Sequence, residues 1–128
     1  MTAPGEPADT SRAGDDVLDV VVIGASQAGL AMAWHLARQH LWFVVLEAGP
    51  EPGYTWCSRW DSLTLFTPAQ YAALPGMPFP GSPDTYPTKE QVAGYLDAYA
   101  AEFNLPVRLN ARVTALILDG GGLRGSDR

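Results

Sequence analysis

The chain has 128 residues, 8 basic and 14 acidic side chains and a net charge of -6, with Lys89 as its single lysine. Phosphate backbones are held by clustered Lys and Arg, so this composition excludes nucleic acid as a partner. One cysteine, Cys57, excludes an internal disulfide framework and any CxxC redox pair, and fits a reducing compartment.

Met1 to Asp16 are rich in Pro, Gly, Ala, Asp and Glu and lack the apolar core of a signal peptide, which predicts a disordered leader. Residues 17–128 are then a single domain. The longest apolar stretch, Val17 to Trp34, is interrupted by Asp19, Gly24, Ser26, Gln27 and Gly29. It is too polar to cross a bilayer, so a soluble, cytoplasmic protein with no membrane partner is expected. Leu18 to Ile23 reads as a buried strand, apolar and β-branched and ending at a glycine. Gln27 to Gln39 changes to helical spacing, with Leu30, Trp34 and Ala37 on one face. Leu41 to Leu46 is a second buried strand, with Glu47 at its carboxyl end. Strand, helix and strand in this order predict a right-handed β-α-β crossover.

Ala48 to Pro87 reads as irregular, with 8 prolines among aromatic residues, and a loop of that length is usually functional. Thr88-Lys89-Glu90-Gln91 forms a capping box behind Pro87, and Val92, Tyr95, Leu96, Tyr99 and Phe103 continue with helical spacing. Leu105-Pro106 stops that helix. Val107 to Asn110 and Val113 to Leu118 read as two further strands.

The glycines carry the chemistry. Gly24-Ala25-Ser26-Gln27-Ala28-Gly29 joins the first strand to the first helix. Gly24 is expected to close a turn that a side chain would obstruct, position 26 to approach a pyrophosphate, and Gly29 to let helix and strand pack closely. Unpaired N–H groups at the helix start attract the pyrophosphate. Ser26 stands where the usual fingerprint has glycine, and its hydroxyl can donate to a phosphate oxygen. Glu47 has the spacing of the acid that accepts from ribose hydroxyls, and it would repel a 2′-phosphate. The turn therefore suits FAD or NAD and not NADP.

Beyond the turn, Glu47 to Trp56 with Arg59-Trp60, Leu63-Thr64-Leu65-Phe66-Thr67-Pro68, the Leu74 to Pro80 run and Tyr86-Pro87-Thr88 follow one another in order. This series resembles the N-terminal FAD-binding region of flavin-containing monooxygenase and Baeyer–Villiger-like oxidoreductases, over about Asp19 to Leu118. The resemblance implies an α/β, Rossmann-like FAD-binding half, three-layered with a mostly parallel sheet and incomplete at the C-terminus. It implies FAD contacts from Gly53, Thr55 and Trp56, and from the backbone of Val113 toward the adenine. Tyr54 departs from the family's Gly-Gly-x-Trp element, and Phe66 replaces an asparagine beside the flavin. NADPH is expected only in a full-length relative, with a small-molecule substrate if a second domain completes the site. The reading is the FAD-binding portion of an NAD(P)H-dependent, monooxygenase-like flavoprotein; the alternative is a non-catalytic FAD-binding module.

Gly120 to Gly125 matches GxGxxG formally, but it reads as a β-hairpin turning at Asp119-Gly120 with its return strand cut off. His35 and His40 read as helix surface or cap, and Cys57 as a small buried hydrophobe. Trp56 and Trp60 are assigned to the site, and Trp34 and Trp42 to the core or to cover by a further domain. Tyr95, Tyr99 and Phe103 have ordinary helix-packing spacing. No metal site is expected.

Overall fold

A computed structural model describes residues 17–57, 68–119 and 122–127. The leader, Arg59, Trp60 and Leu63 to Thr67, Phe66 included, lie outside the described residues.

Strand β1 (Val20–Ile23) leads through helix α1 (Gln27–Arg38) into β2 (Phe43–Leu46), and β1 and β2 pair in parallel with Val20 opposite Phe43 and Ile23 opposite Leu46. A one-turn helix α2 (Tyr54–Cys57) and a 3-10 turn (Ala69–Tyr71) interrupt the expected irregular segment. Helix α3 (Lys89–Glu102) then returns the chain to β3 (Val107–Arg108), parallel to β2, giving the sheet order β1-β2-β3. The chain is thus α/β with a parallel sheet, as its periodicities predict. Strand β4 (Val113–Asp119) forms a separate antiparallel pair with β5 (Gly122–Asp127). The return strand is therefore present, and Gly122 to Gly125 belong to a strand and not to a second phosphate turn.

The core lies between the sheet and one layer of helices. Val22, Phe43 and Val45 face Leu30, Ala33 and Leu36 of α1 and Val92, Leu96 and Tyr99 of α3 in one cluster. Burying such side chains contributes about 1.5–3 kcal/mol each. The expectation that β1 is buried on both sides needs correcting: Val21 and Ile23 remain 47% and 53% exposed. Residues alternate across a strand, so the face that carries Val20 and Val22 meets the helices while Val21 and Ile23 face away. The three strands of the parallel sheet are also shorter than their apolar runs. Leu41 is spent on closing α1, and Asn110 leaves β3 with φ 57°.

Both long helices end in the same way. Beyond Arg38, His40 adopts φ 60°, its N–H reaching Ala37 O at 3.2 Å and that of Leu41 reaching Leu36 O at 3.4 Å. Beyond Glu102, Asn104 at φ 52° repeats the pattern, with Asn104 N–H to Ala101 O at 3.2 Å and Leu105 N–H to Ala100 O at 3.0 Å. These are paired Schellman closures built on non-glycine residues, which gives His40 the capping role. At the other end of α3 the capping box is complete: Gln91 N–H donates to Thr88 Oγ1 at 3.2 Å, and Thr88 N–H to Gln91 Oε1 at 2.8 Å.

The tyrosine stripe of α3 does more than pack. Leu74-Pro75-Gly76-Met77 is a tight turn with Gly76 at φ 89° and Met77 N–H donating to Leu74 O at 3.4 Å. The Tyr95 hydroxyl accepts from Leu74 N–H at 2.8 Å and donates to Met77 O at 2.6 Å, and the Tyr99 hydroxyl donates to Pro75 O at 2.5 Å. A Cβ on Gly76 would sit 2.6 Å from Trp34 Nε1 and 2.9 Å from Phe103, so the turn rests directly on α1 and α3. Trp34 meets Phe103 edge-on at 6.5 Å and lies under the Arg38 guanidinium at 4.8 Å. Trp34 is therefore half-buried against the core, at the α1–α3 junction.

Two outcomes follow for stability. A non-glycine residue at φ 60° costs roughly 1 kcal/mol, so His40→Gly should raise the melting temperature; an unchanged or lower value would contradict the closure. Burial, with the Tyr95 phenol beside it as the lesser cause, pushes the Tyr99 hydroxyl up to about 12 from its ordinary 10.0. The unfolded chain therefore releases this proton at lower pH than the folded one. The group's stabilisation is complete below pH 10.0 and is lost as pH rises to about 12. Tyr99→Phe should cost about 1 kcal/mol at neutral pH and flatten the alkaline loss of stability. Equal alkaline slopes in the two proteins would refute this.

Candidate functional site

The glycine turn lies between the end of β1 and the start of α1, against the carboxyl end of β2. Gly24 N–H donates to Leu46 O at 2.8 Å, continuing the parallel ladder by one bond. Gly24 takes φ 99°, and a Cβ there would meet nothing within 4 Å. The expected side-chain obstruction at Gly24 is thus corrected: glycine is required by the backbone conformation and not by space. At Gly29 the reverse holds. A Cβ would lie 1.8 Å from the carbonyl oxygen of Gly24 and 3.4 Å from Val22, so helix and strand touch backbone to backbone.

That contact presents the start of α1 at the sheet edge. Ser26 is the N-cap in extended conformation and makes no side-chain capping bond, and no acidic residue occupies the first turn. The first N–H groups of a helix have no intrahelical acceptor and carry the positive end of its dipole. Gln27 and Ala28 supply such groups, and the Ser26 hydroxyl stands beside them. The arrangement can hold an anion without a basic side chain.

Glu47 is buried at 7% exposure. Its Oε1 accepts from Ala25 N–H at 2.8 Å and its Oε2 from Gly49 N–H at 2.8 Å. A carboxylate has about four acceptor positions, so each oxygen retains capacity for a ligand hydroxyl. Sequence reasoning gave Glu47 its place but missed these two backbone partners, which no spacing rule reveals.

The other residues expected at the site are brought in to different degrees. Gly53, at φ 74°, donates its N–H to Ala25 O at 2.8 Å, which ties the second segment directly to the turn. A Cβ on Gly53 would lie 3.1 Å from the Leu96 side chain, so the residue that leads into α2 is seated on α3. Trp56 packs against the core cluster, and its N–H donates to Gly53 O at 2.9 Å; Thr55 is exposed. Tyr54, the departure from the family pattern, covers Gly49, where a Cβ would lie 2.7 Å from its ring. Val113 follows a segment stitched to the same corner, with Ala111 N–H reaching Glu47 O at 2.8 Å and Asn110 N–H reaching Gly49 O at 2.9 Å. Gly24 to Gly29, Glu47, Gly53 and the approach to Val113 therefore share one corner. Among the described residues no group of three or more His, Cys, Asp and Glu could hold a metal, and no helix is long and apolar enough to cross a membrane.

The two glycines should separate experimentally. Gly24→Ala forces an unfavourable backbone region at a cost of about 1–3 kcal/mol, while Gly29→Ala must push α1 off β1. Thermal unfolding should therefore show the larger loss for Gly29→Ala; equal stabilities for the two variants would contradict the packing argument.

Comparison with known proteins agrees with this geometry. Residues 21–123 match the family of pyridine nucleotide-disulphide oxidoreductases. An uncharacterized CzcO-like oxidoreductase of Geobacillus kaustophilus is 47% identical over 100 residues, covering 78% of this chain and 29% of its own length. The flavin-containing monooxygenase from Stenotrophomonas maltophilia superposes with a TM-score of 0.82 at 40% identity, over 87% of this chain and 34% of that structure. A structure of OTEMO in complex with FAD and NADP gives a TM-score of 0.70 at 25% identity, over 86% of this chain and 22% of that one. The chain thus spans about a third or less of the relatives it matches. It belongs to the pyridine nucleotide-disulphide oxidoreductase family.

Proposed function

We propose that this member of the family is the FAD-binding portion of an NAD(P)H-dependent flavoprotein oxidoreductase of the monooxygenase type. The reading is carried by one observation: an acid-free, uncapped helix start lies beside a buried carboxylate that is hydrogen-bonded to the same turn at 2.8 Å. A dinucleotide needs these two elements together, N–H donors for its pyrophosphate and an acceptor for its ribose hydroxyls. The donor set of this corner fits FAD. When bound, FAD supplies the flavin ring as the hydride acceptor.

The chain's own residues then bind and orient. Gln27 and Ala28 N–H groups and the Ser26 hydroxyl donate to the pyrophosphate, with Gly24, Ala25 and Gly29 shaping the turn. Glu47 accepts from the ribose with the capacity its backbone partners leave free, and its charge repels a 2′-phosphate. By the family resemblance, Gly53, Thr55 and Trp56 would contact the flavin half of FAD, and the Val113 backbone would bind the adenine. The likeness to the Stenotrophomonas monooxygenase supports the reaction class. NADPH as reductant and a small-molecule substrate are proposed for the whole enzyme, working in the cytoplasm.

Titrating FAD and NADP against tryptophan fluorescence of this chain tests the reading. FAD should bind more tightly, and Glu47→Ala should weaken it by about 1–3 kcal/mol, the scale of charge-assisted hydrogen bonds. NADP binding as tight as that of FAD would overturn the assignment.

A further inference from the structure

Both oxygens of the buried Glu47 carboxylate are engaged by main chain before any ligand is considered. Oε1 holds the N–H of Ala25, inside the glycine turn, and Oε2 holds the N–H of Gly49, in the segment that leaves β2, each at 2.8 Å. Ala25 is fully buried, and its carbonyl accepts from Gly53 N–H at 2.8 Å, while Gly24 N–H is fixed on Leu46 O at 2.8 Å. The first half of the turn is thus held by three hydrogen bonds from the end of β2 and the chain that follows it.

We infer that Glu47 is a positioning residue for the pyrophosphate as well as an acceptor for the ribose. By taking the Ala25 N–H, the carboxylate turns that donor away from the ligand and fixes the turn's conformation, so that the donors of Ser26, Gln27 and Ala28 are left to meet the anion. The inference rests on the FAD-binding reading for its ligand, but the clamp itself is a property of the ligand-free chain. Fixing the donors in advance removes the ordering cost that a loose turn would impose at binding.

The two roles of Glu47 respond differently to Glu47→Gln. A hydroxyl both donates and accepts, so ribose hydroxyls can pair with an amide by reorienting. A backbone N–H can only donate. Whichever way the glutamine amide is turned, its NH2 opposes one of the Ala25 and Gly49 N–H groups and leaves it unpaired in a buried place. A ribose-only role therefore predicts a mild variant, and a clamp predicts a damaged turn.

The experiment uses the full chain and its Glu47→Gln variant, with hydrogen exchange at the Ala25 and Gly49 amides in the absence of ligand and affinities for inorganic pyrophosphate and ADP. Exchange at one or both amides should accelerate by about tenfold or more, while the amides of α3 keep their wild-type rates. Affinity for inorganic pyrophosphate, which has no ribose, should fall by about tenfold alongside that for ADP. Unchanged exchange and unchanged pyrophosphate affinity, with only ADP weakened, would overturn the clamp. A wild-type chain that binds neither probe would sink the dinucleotide reading, and the exchange data would still decide the clamp. If Glu47→Gln fails to fold, Glu47→Asp, one methylene too short to span both N–H groups, should show the faster exchange; wild-type protection in that variant would overturn the inference.

Discussion

The architecture depends on the missing side chain at Gly29. A Cβ at that position would stand 1.8 Å from the Gly24 carbonyl oxygen, so the first helix and first strand can meet only because there is none. The close approach puts the positive end of α1 at the sheet edge, and it leaves Leu30, the next residue, and Ala33, one turn later, buried against β1 and β2. One absent atom thus serves the core and the site together. An enlargement there would be felt in both, because the contact is backbone against backbone and no rotamer can relieve it.

Helix dipole and carboxylate cooperate at the resulting corner without neutralising each other. Negative charge beside a helix start is ordinarily a cap that satisfies the first N–H groups. Here the first turn has no acid and Ser26 makes no capping bond, while Glu47 reaches the turn one residue earlier, at Ala25. The helix donors stay available, and the carboxylate is stabilised by Ala25 and Gly49. Charge separation of this kind lets a chain of net charge -6 attract an anion at one point.

At the junction of α1 and α3, a second arrangement secures the long connection between β2 and α3. Tyr95 and Tyr99 direct their hydroxyls at the peptide groups of Leu74, Pro75 and Met77, and Trp34 and Phe103 support Gly76 from below. Buried phenols need partners, and a Pro-Gly turn has exposed peptide groups to offer. Each solves the other's deficit. Phe79 extends the same seam by stacking on Tyr95 at 4.7 Å.

The sequence by itself determined the parts governed by near neighbours along the chain. The β-α-β order, the glycine turn, the capping box at Thr88 and the end of α3 ahead of Leu105-Pro106 rest on periodicity, propensity and local hydrogen bonding, and each is read within a few residues. Only the tertiary structure decided that Val21 and Ile23 face outward, that Glu47 holds Ala25 and Gly49, and that the tyrosine stripe grips a turn some twenty residues away. It also decided that the hairpin read from the sequence after β4 has its return strand, with Gly122 to Gly125 paired to β4. The physical reason is the same throughout. An apolar run shows that a strand can be buried without showing how many of its faces find a cover. A polar side chain, likewise, shows what it can bond, while its partner is chosen by whichever backbone groups the fold brings within 3 Å of it.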